Sequence, residues 1–385
     1  MAQPLAGVRI ADFSHVIAGP LATQFLRLLG AEVIKVEPAQ GDAMRFYTHT
    51  PGRAGMAEPF VGANAGKRSV VLDLKTAEGR AQARALTGTC DIFVENFRPG
   101  VAARLGLGAD DLTAAFPSLI YCSVSGFGQT GPMRDFPAID QVIQSVSGLM
   151  SLSGHEGDPA ERIGFPIVDT YSALLTAFAI LAAYTQRQAD PERRGQVIDV
   201  SMLDATLVMM SSVVGPLLMS GQKPVRAGNR GFSGAPTADT FATGDGEITI
   251  GAVQQVQVER LFRAMDLAGL IDDPRFADRD ARLANDPALQ EILRARFAEK
   301  SALEWEEILS AAGVPAGKVR ALDEALAFDQ IRDRDLFLDL PGGTDRVMNA
   351  GFRFAHDGPG LNAPAPKLGE HTEDVLAEIA QKRSA

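Results

Sequence analysis

In the stretch IGFPIVDTYSALLTAFAILAAYTQ, Asp169 is the one charged group, at the mouth of a long apolar run. A carboxylate just before a helix accepts hydrogen bonds from the first free N–H groups, so the residues by themselves make Asp169 a helix cap. The positive partial charge of that helix end would also keep it ionised. Five basic residues, Lys67, Arg68, Lys75, Arg98 and Arg104, fall in NAGKRSVVLDLKTAEGR and ENFRPGVAARLG, near the ends of consecutive strand-like runs. Open α/β sheets bind ligands at such ends. Taken singly each reads as a solvated surface charge, but as a cluster on a chain of net charge −11 they point to an anion site fit for a phosphate-bearing ligand. The segment GFGQTG, Gly126-x-Gly128-x-x-Gly131, has the spacing of a dinucleotide fingerprint. Pro132 and MRDFP follow where a phosphate-binding helix should begin, so it reads as a glycine-rich turn, with a dinucleotide-dependent oxidoreductase as the alternative. No Ser or Cys occupies a nucleophile elbow, and the five histidines lack metal-ligand spacing, so no metal is expected. Cys90 and Cys122 form no Cys-x-x-Cys pair and read as buried free thiols.

The elements that must position these groups alternate along the first part of the chain. VRIADF reads as a strand, Pro20 opens a helix LATQFLRLLG that closes at Gly30, and EVIKVE is the next strand. Further runs SVVLDL, DIFVENF and LIYCSVS, with helical segments such as GRAQARAL between two of them, predict a parallel sheet covered by helices. Residues 173–184 form a helix apolar nearly all round, and a strand plus a second apolar helix, residues 202–218, follow. Gly and Pro gather in SGQKPVRAGNRGFSGAP, which marks a linker; TFATGDGEITIGA then reads as a hairpin within a smaller α+β domain. The predicted division is 1–220 for a large domain, 221–321 for the small one, and 322–385 for a segment returning to the first. At 385 residues with 46% hydrophobic and 22% charged residues the chain is of ordinary globular composition. An excess of 48 acidic over 37 basic residues argues against a nucleic-acid or anionic-membrane surface. No leader pattern and no run of roughly 20 uncharged apolar residues is present, which makes the expected location cytoplasmic with no membrane partner.

Together, FSHVIAGPLATQFLRLLGAEVIKVEP, NAGKRSVVLDLKTAEG, ENFRPGVAARLG, DVSMLDA, DPRFADRDARLAN, GVPAGKV and LGEHTEDVL resemble the successive signatures of the class III coenzyme A transferases. That family includes formyl-CoA transferase, carnitine CoA-transferase and α-methylacyl-CoA racemase. The resemblance implies a Rossmann-like large domain plus a small domain, in a homodimer of two interlocked rings. It implies coenzyme A and acyl-CoA as substrates, a carboxylic acid as acceptor, and Asp169 as the nucleophile. Donor and acceptor would exchange CoA through aspartyl anhydrides and an aspartyl-CoA thioester. By the same resemblance His15, Ile17 and Ala18 form the first CoA-binding loop. Leu72, Asp73, Leu74 and Lys75 form a strand along the adenine; Asn96, Phe97, Arg98 and Arg104 surround the diphosphate; Asp140 lies near the catalytic carboxylate. The chain departs from formyl-CoA transferases at Ile17, where they have Gln, at Pro38, where they have a basic residue, and in lacking their four-glycine run, which disfavours oxalate and formate. Ala138-Ile139-Asp140 stands where racemases carry Gly-His-Asp, which disfavours racemisation; an isomerase, and a CoA-binding protein without turnover, are the remaining alternatives.

Overall fold

The computed structural model describes residues 2–384. Six short strands, β1 (Arg9–Asp12), β2 (Glu32–Glu37), β3 (Arg68–Val71), β4 (Ile92–Glu95), β5 (Ile120–Ser125) and β6 (Val197–Ser201), pair in the order β3-β2-β1-β4-β5-β6. All five pairings are parallel, with Ile10 in register with Val33 on one side and Ile92 on the other. The near-continuous apolar character of the central strands β4 and β5 has a direct cause, since both of their faces are buried. Successive residues alternate between two cores. Ile10, Val33, Ile92, Val94 and Cys122 pack on one face. Ala11, Ile34, Phe93 and Tyr121 pack on the other.

Helices α1 (Ala18–Leu28), α2 (Glu58–Asn64), α3 (Ala77–Thr87), α4 (Val101–Arg104), α5 (Ala109–Ala115), α6 (Asp140–Val146) and α7 (Ile167–Ala189) connect the strands. α1 starts two residues before Pro20 and stops where Gly30 adopts φ +103°, which lets Ala31 donate back to the Leu26 carbonyl at 3.2 Å. α7 packs along α1 and against β5 and β6. By length and composition it is apolar enough to cross a membrane, a test that core helices also pass. Arg187 near its end is buried, paired with Asp91 at 2.9 Å and donating to the Ser118 carbonyl. The second apolar helix is two, α8 (Met202–Met209) and α9 (Ser211–Ser220), bent by 80° because Met210, at φ −87° and ψ 16°, leaves the helical ladder.

The described residues fall into two compact units. One is drawn from Met1–Met150, Arg162–Lys223 and Gln330–Ala385, the other from Ser151–Glu161 and Pro224–Asp329. Ser151–Glu161, assigned to the first domain from sequence, groups with the second unit, where Gly228 donates to the Gly154 carbonyl and Arg226 to that of Ser151. In that unit β7 (Ala238–Ala242) and β8 (Glu247–Gly251) form the antiparallel hairpin, and β9 (Ala316–Lys318) pairs with β8. Helices α10 (Gln255–Ala264), α11 (Arg279–Ala284), α12 (Asp286–Phe297) and α13 (Ala302–Ala311) complete it, around a core centred on Trp305. In the first unit the C-terminal helix Thr372–Ser384 lies against α3 and β3, with Val375 and Ile379 in the core.

Candidate active site

The sheet order reverses between β1 and β4, and the chain segments leaving these two strands at their carboxyl ends diverge there. A crevice at such a switch point is where open α/β sheets bind ligands. A cavity of about 700 Å³ opens at this place. Its wall is built from His15, Val16, Ile17 and Ala18 after β1, and from Asn96, Phe97, Arg98 and Pro99 after β4. The end of β5, residues Arg134 and Phe136 to Gln141, and the segment Arg162, Pro166 and Asp169 close the remaining sides. The fold thus brings together His15, Ile17, Ala18, Asn96, Phe97, Arg98, Asp140 and Asp169.

Other sequence assignments fall elsewhere. Leu72, Asp73, Leu74 and Lys75 do not form a strand: β3 ends at Val71, and these residues turn into α3. The turn is set by the Asp73 carboxylate, which accepts the Lys75 N–H at 3.0 Å, and by Thr76, which donates to the Asp73 carbonyl and caps α3. None of these residues, nor the exposed Arg104 on α4, lines the cavity. Lys67 and Arg68 are no part of an anion site. Lys67 is buried, its ammonium donating to Asp12, Thr23, Asn64 and the Pro20 carbonyl at 2.8–3.0 Å. Burial lowers its pKa to about 8 against the opposing pull of Asp12. Arg68 lies at the start of β3, away from the strand ends that carry the cavity, and is bound to Glu32 and Glu378. After β5, Gly128 and Gly131 adopt φ +82° and +87° in irregular chain and no helix starts before Asp140, so GFGQTG is a turn.

The loop after β1 is held firmly. Asn96 accepts the His15 N–H and donates to the His15 carbonyl, both at 2.8 Å. The next residue, Val16, has φ +68°, a left-handed conformation rarely tolerated by a β-branched side chain.

Asp169 is not the N-cap expected from its sequence context. α7 begins at Ile167, placing Asp169 in its first turn, and its carboxylate accepts no hydrogen bond from the described residues. The capping falls to Asp140 on α6, whose carboxylate accepts the Val168 and Asp169 N–H groups at 2.8 and 3.1 Å and the Gln144 amide at 2.6 Å. Gln144, itself buried, accepts the Ile163 N–H at 2.9 Å and so ties down the segment leading into α7. Burial first, and the charge of Asp140 second, raise the Asp169 pKa to about 7. The helix end was expected to keep this acid strongly ionised; desolvation and a like charge outweigh it.

A half-buried, unbonded carboxylate faces a cavity that carries Arg98 and Arg162. The model for CoA-transferase family III matches residues 5–372. This chain belongs to CoA-transferase family III. A succinate–glutarate CoA-transferase of Agrobacterium fabrum is 34% identical over 391 residues, spanning 98% of this chain and 96% of that protein. An acetyl-CoA:oxalate CoA-transferase of Acetobacter aceti is also 34% identical, over 98% of this chain and 96% of that one. The crystal structure of a CAIB/BAIF family protein from Brucella suis matches with a TM-score of 0.88 at 31% identity, covering 98% of this chain and all of that one. The chain is thus a family III CoA-transferase, an enzyme whose family acts on CoA thioesters. In this transferase, sequence reasoning missed Val16, Arg162 and the wall at Phe136 and Pro137. Val16 stood between two assigned residues, but nothing in its type signals a left-handed backbone; Arg162 carried no motif and is found only by tracing the chain back from Asp169.

Proposed function

We propose that this enzyme moves CoA from an acyl-CoA donor to a free carboxylic acid, with Asp169 as the covalent nucleophile. The observation that carries the reading is the placement of Asp169: at the cavity wall, its carboxylate accepting no hydrogen bond from the described residues, with a pKa raised to about 7. Such a carboxylate is more basic than an ordinary aspartate, with its protonated and ionised forms both present near neutral pH. Its oxygen attacks the donor thioester carbonyl; the C–S bond breaks and sulfur leaves with the electron pair, giving an aspartyl–acyl anhydride and CoA thiolate. The thiolate attacks the aspartyl carbonyl, releasing the donor acid and leaving an aspartyl-CoA thioester. The acceptor carboxylate attacks that thioester, forming a second anhydride, and the thiolate takes the acceptor acyl group and frees Asp169. Each step exchanges one activated acyl bond for another, provided that water is kept out.

Arg98 and Arg162 supply positive charge along the cavity, Arg98 toward the phosphates of CoA and Arg162 toward the acid. The strand order supports a Rossmann-like description of the large unit, and the relatives named for succinate, glutarate and oxalate support short dicarboxylates as the first acids to try. Isomerisation is disfavoured because Ile139, which cannot carry a proton, lines the cavity at the position discussed above. The test is direct. The enzyme incubated with succinyl-CoA or acetyl-CoA and a panel of carboxylates should yield new CoA thioesters by mass spectrometry. Held with acyl-CoA and no acceptor, it should accumulate a hydroxylamine-sensitive adduct on the Asp169 peptide; an adduct on any other residue would overturn the assignment.

A further inference from the structure

Asp42 is fully buried and lines no part of the cavity, yet it is bonded to the loop that does. Its two carboxylate oxygens each stand 3.2 Å from the Val16 nitrogen, and one of them also accepts the Met44 N–H at 3.0 Å. The ammonium of Lys35, buried to the same extent, lies 2.9 Å from Asp42 and donates to the Ser14 carbonyl at 2.9 Å. The His15 ring, part of the cavity lining, turns Nδ1 toward Asp42 at 3.7 Å and lies beside Phe97 with ring centroids 6.4 Å apart. The residue before His15, the residue after it and its own ring are therefore all referred to one buried ion pair.

We infer that Asp42 is a positioning residue for CoA transfer, acting through His15 and the left-handed turn at Val16. The physical reason is strain. A β-branched residue at φ +68° persists only where surrounding bonds over-determine it, and those bonds here are the Asp42 acceptor on one side and the Asn96 clamp on the other. The turn at Val16 sets where His15, Ile17 and Ala18 meet the cavity. A carboxylate behind an imidazole fixes which ring nitrogen carries the proton and how the ring is aimed. A purely structural ion pair would predict lost stability alone; positioning predicts a selective loss of turnover.

The inference rests on the transferase reading, and one set of variants separates the two. Asp42→Asn keeps an acceptor for Val16 but loses the charge that meets Lys35 and His15; Lys35→Met/Asp42→Asn removes both buried charges should the single variant fail to fold. Whichever folds, by thermal melting, should lose on the order of 10- to 100-fold in kcat, with KM for acyl-CoA within about threefold of wild type. In a His15→Gln background the same change should cost no more than about twofold, because its route through the ring is already gone. A lowered melting temperature with unchanged kcat, or an equal kcat loss in both backgrounds, would overturn the inference. Absence of turnover by the wild-type enzyme with every donor and acid would sink the transferase reading and this one with it, whereas wild-type turnover with unaffected variants sinks this one alone.

Discussion

Asp169 is an acid whose environment works against its charge. Burial and then Asp140 raise its pKa from 3.8 to about 7. Between those values the folded chain holds a proton that the unfolded chain has released. The group therefore favours folding fully below about pH 4, and that contribution is lost as pH rises through about 7. Asp169→Asn, uncharged throughout, should gain melting temperature over wild type as pH is raised from about 4 to 8, while losing turnover because an amide forms no anhydride. A parallel pair of melting curves across pH would contradict the raised pKa. Turnover needs the ionised form, so kcat/KM of the wild type should rise with pH and level off above about 7. Asp140→Asn keeps an oxygen for the α7 N–H groups but removes the like charge, so its acid limb should shift to lower pH. An unmoved limb would leave burial as the whole cause.

At the level of elements, short irregular connections between well-packed strands and helices aim the site. The turn at Leu72–Lys75 is an example: Thr76 accepts the Gly79 N–H at 2.9 Å and donates to the Asp73 carbonyl, tying the start of α3 to the end of β3. Thr76→Ala should cost about 1 kcal/mol in urea unfolding, the usual loss for a helix cap. If these residues meet the adenine, it should also raise KM for acyl-CoA more than it lowers kcat. Unchanged stability would mean that the cap is made good by water. α7 shows the complementary case, in which the capping side chain comes from a different helix, so that moving α6 would move the nucleophile with it.

For the molecule as a whole, the apolar surface left uncovered is informative. Phe178 on α7 is 65% exposed, and Leu218 and Met219 on α9 are 80% and 83% exposed. Large apolar side chains left exposed on helices are candidates for association surfaces, and we propose that they are covered in the interlocked homodimer that the family resemblance implies. Sedimentation should find a dimer throughout the micromolar range, since threaded chains do not part without unfolding. A stable, active monomer would end that proposal.

The parallel sheet, most strand centres, the hairpin at Gly244-Asp245-Gly246 and, through ordered motifs, the family were legible in the amino-acid order alone. These follow from local signals: apolar runs for strands buried on both faces, glycine where φ must be positive, and signature segments long enough to be specific. The amino-acid order also marked His15, Asn96, Arg98, Asp140 and Asp169, which the fold gathers around one cavity although up to 154 positions separate them (169 − 15). What surrounds each of them there depends on packing between distant segments. Asp169 reads as a helix cap locally, but α6 brings Asp140 to that role and leaves Asp169 bare, because helix N–H groups take whichever acceptor packing puts closest. Lys67 and Arg68 resemble an anion site in one dimension and are internal ion partners in three, Lys67 of the buried Asp12 and Arg68 of Glu32 at the start of β2. Burial and electrostatic neighbours are properties of the packed chain, and they turn an ordinary aspartate into one titrating near neutrality.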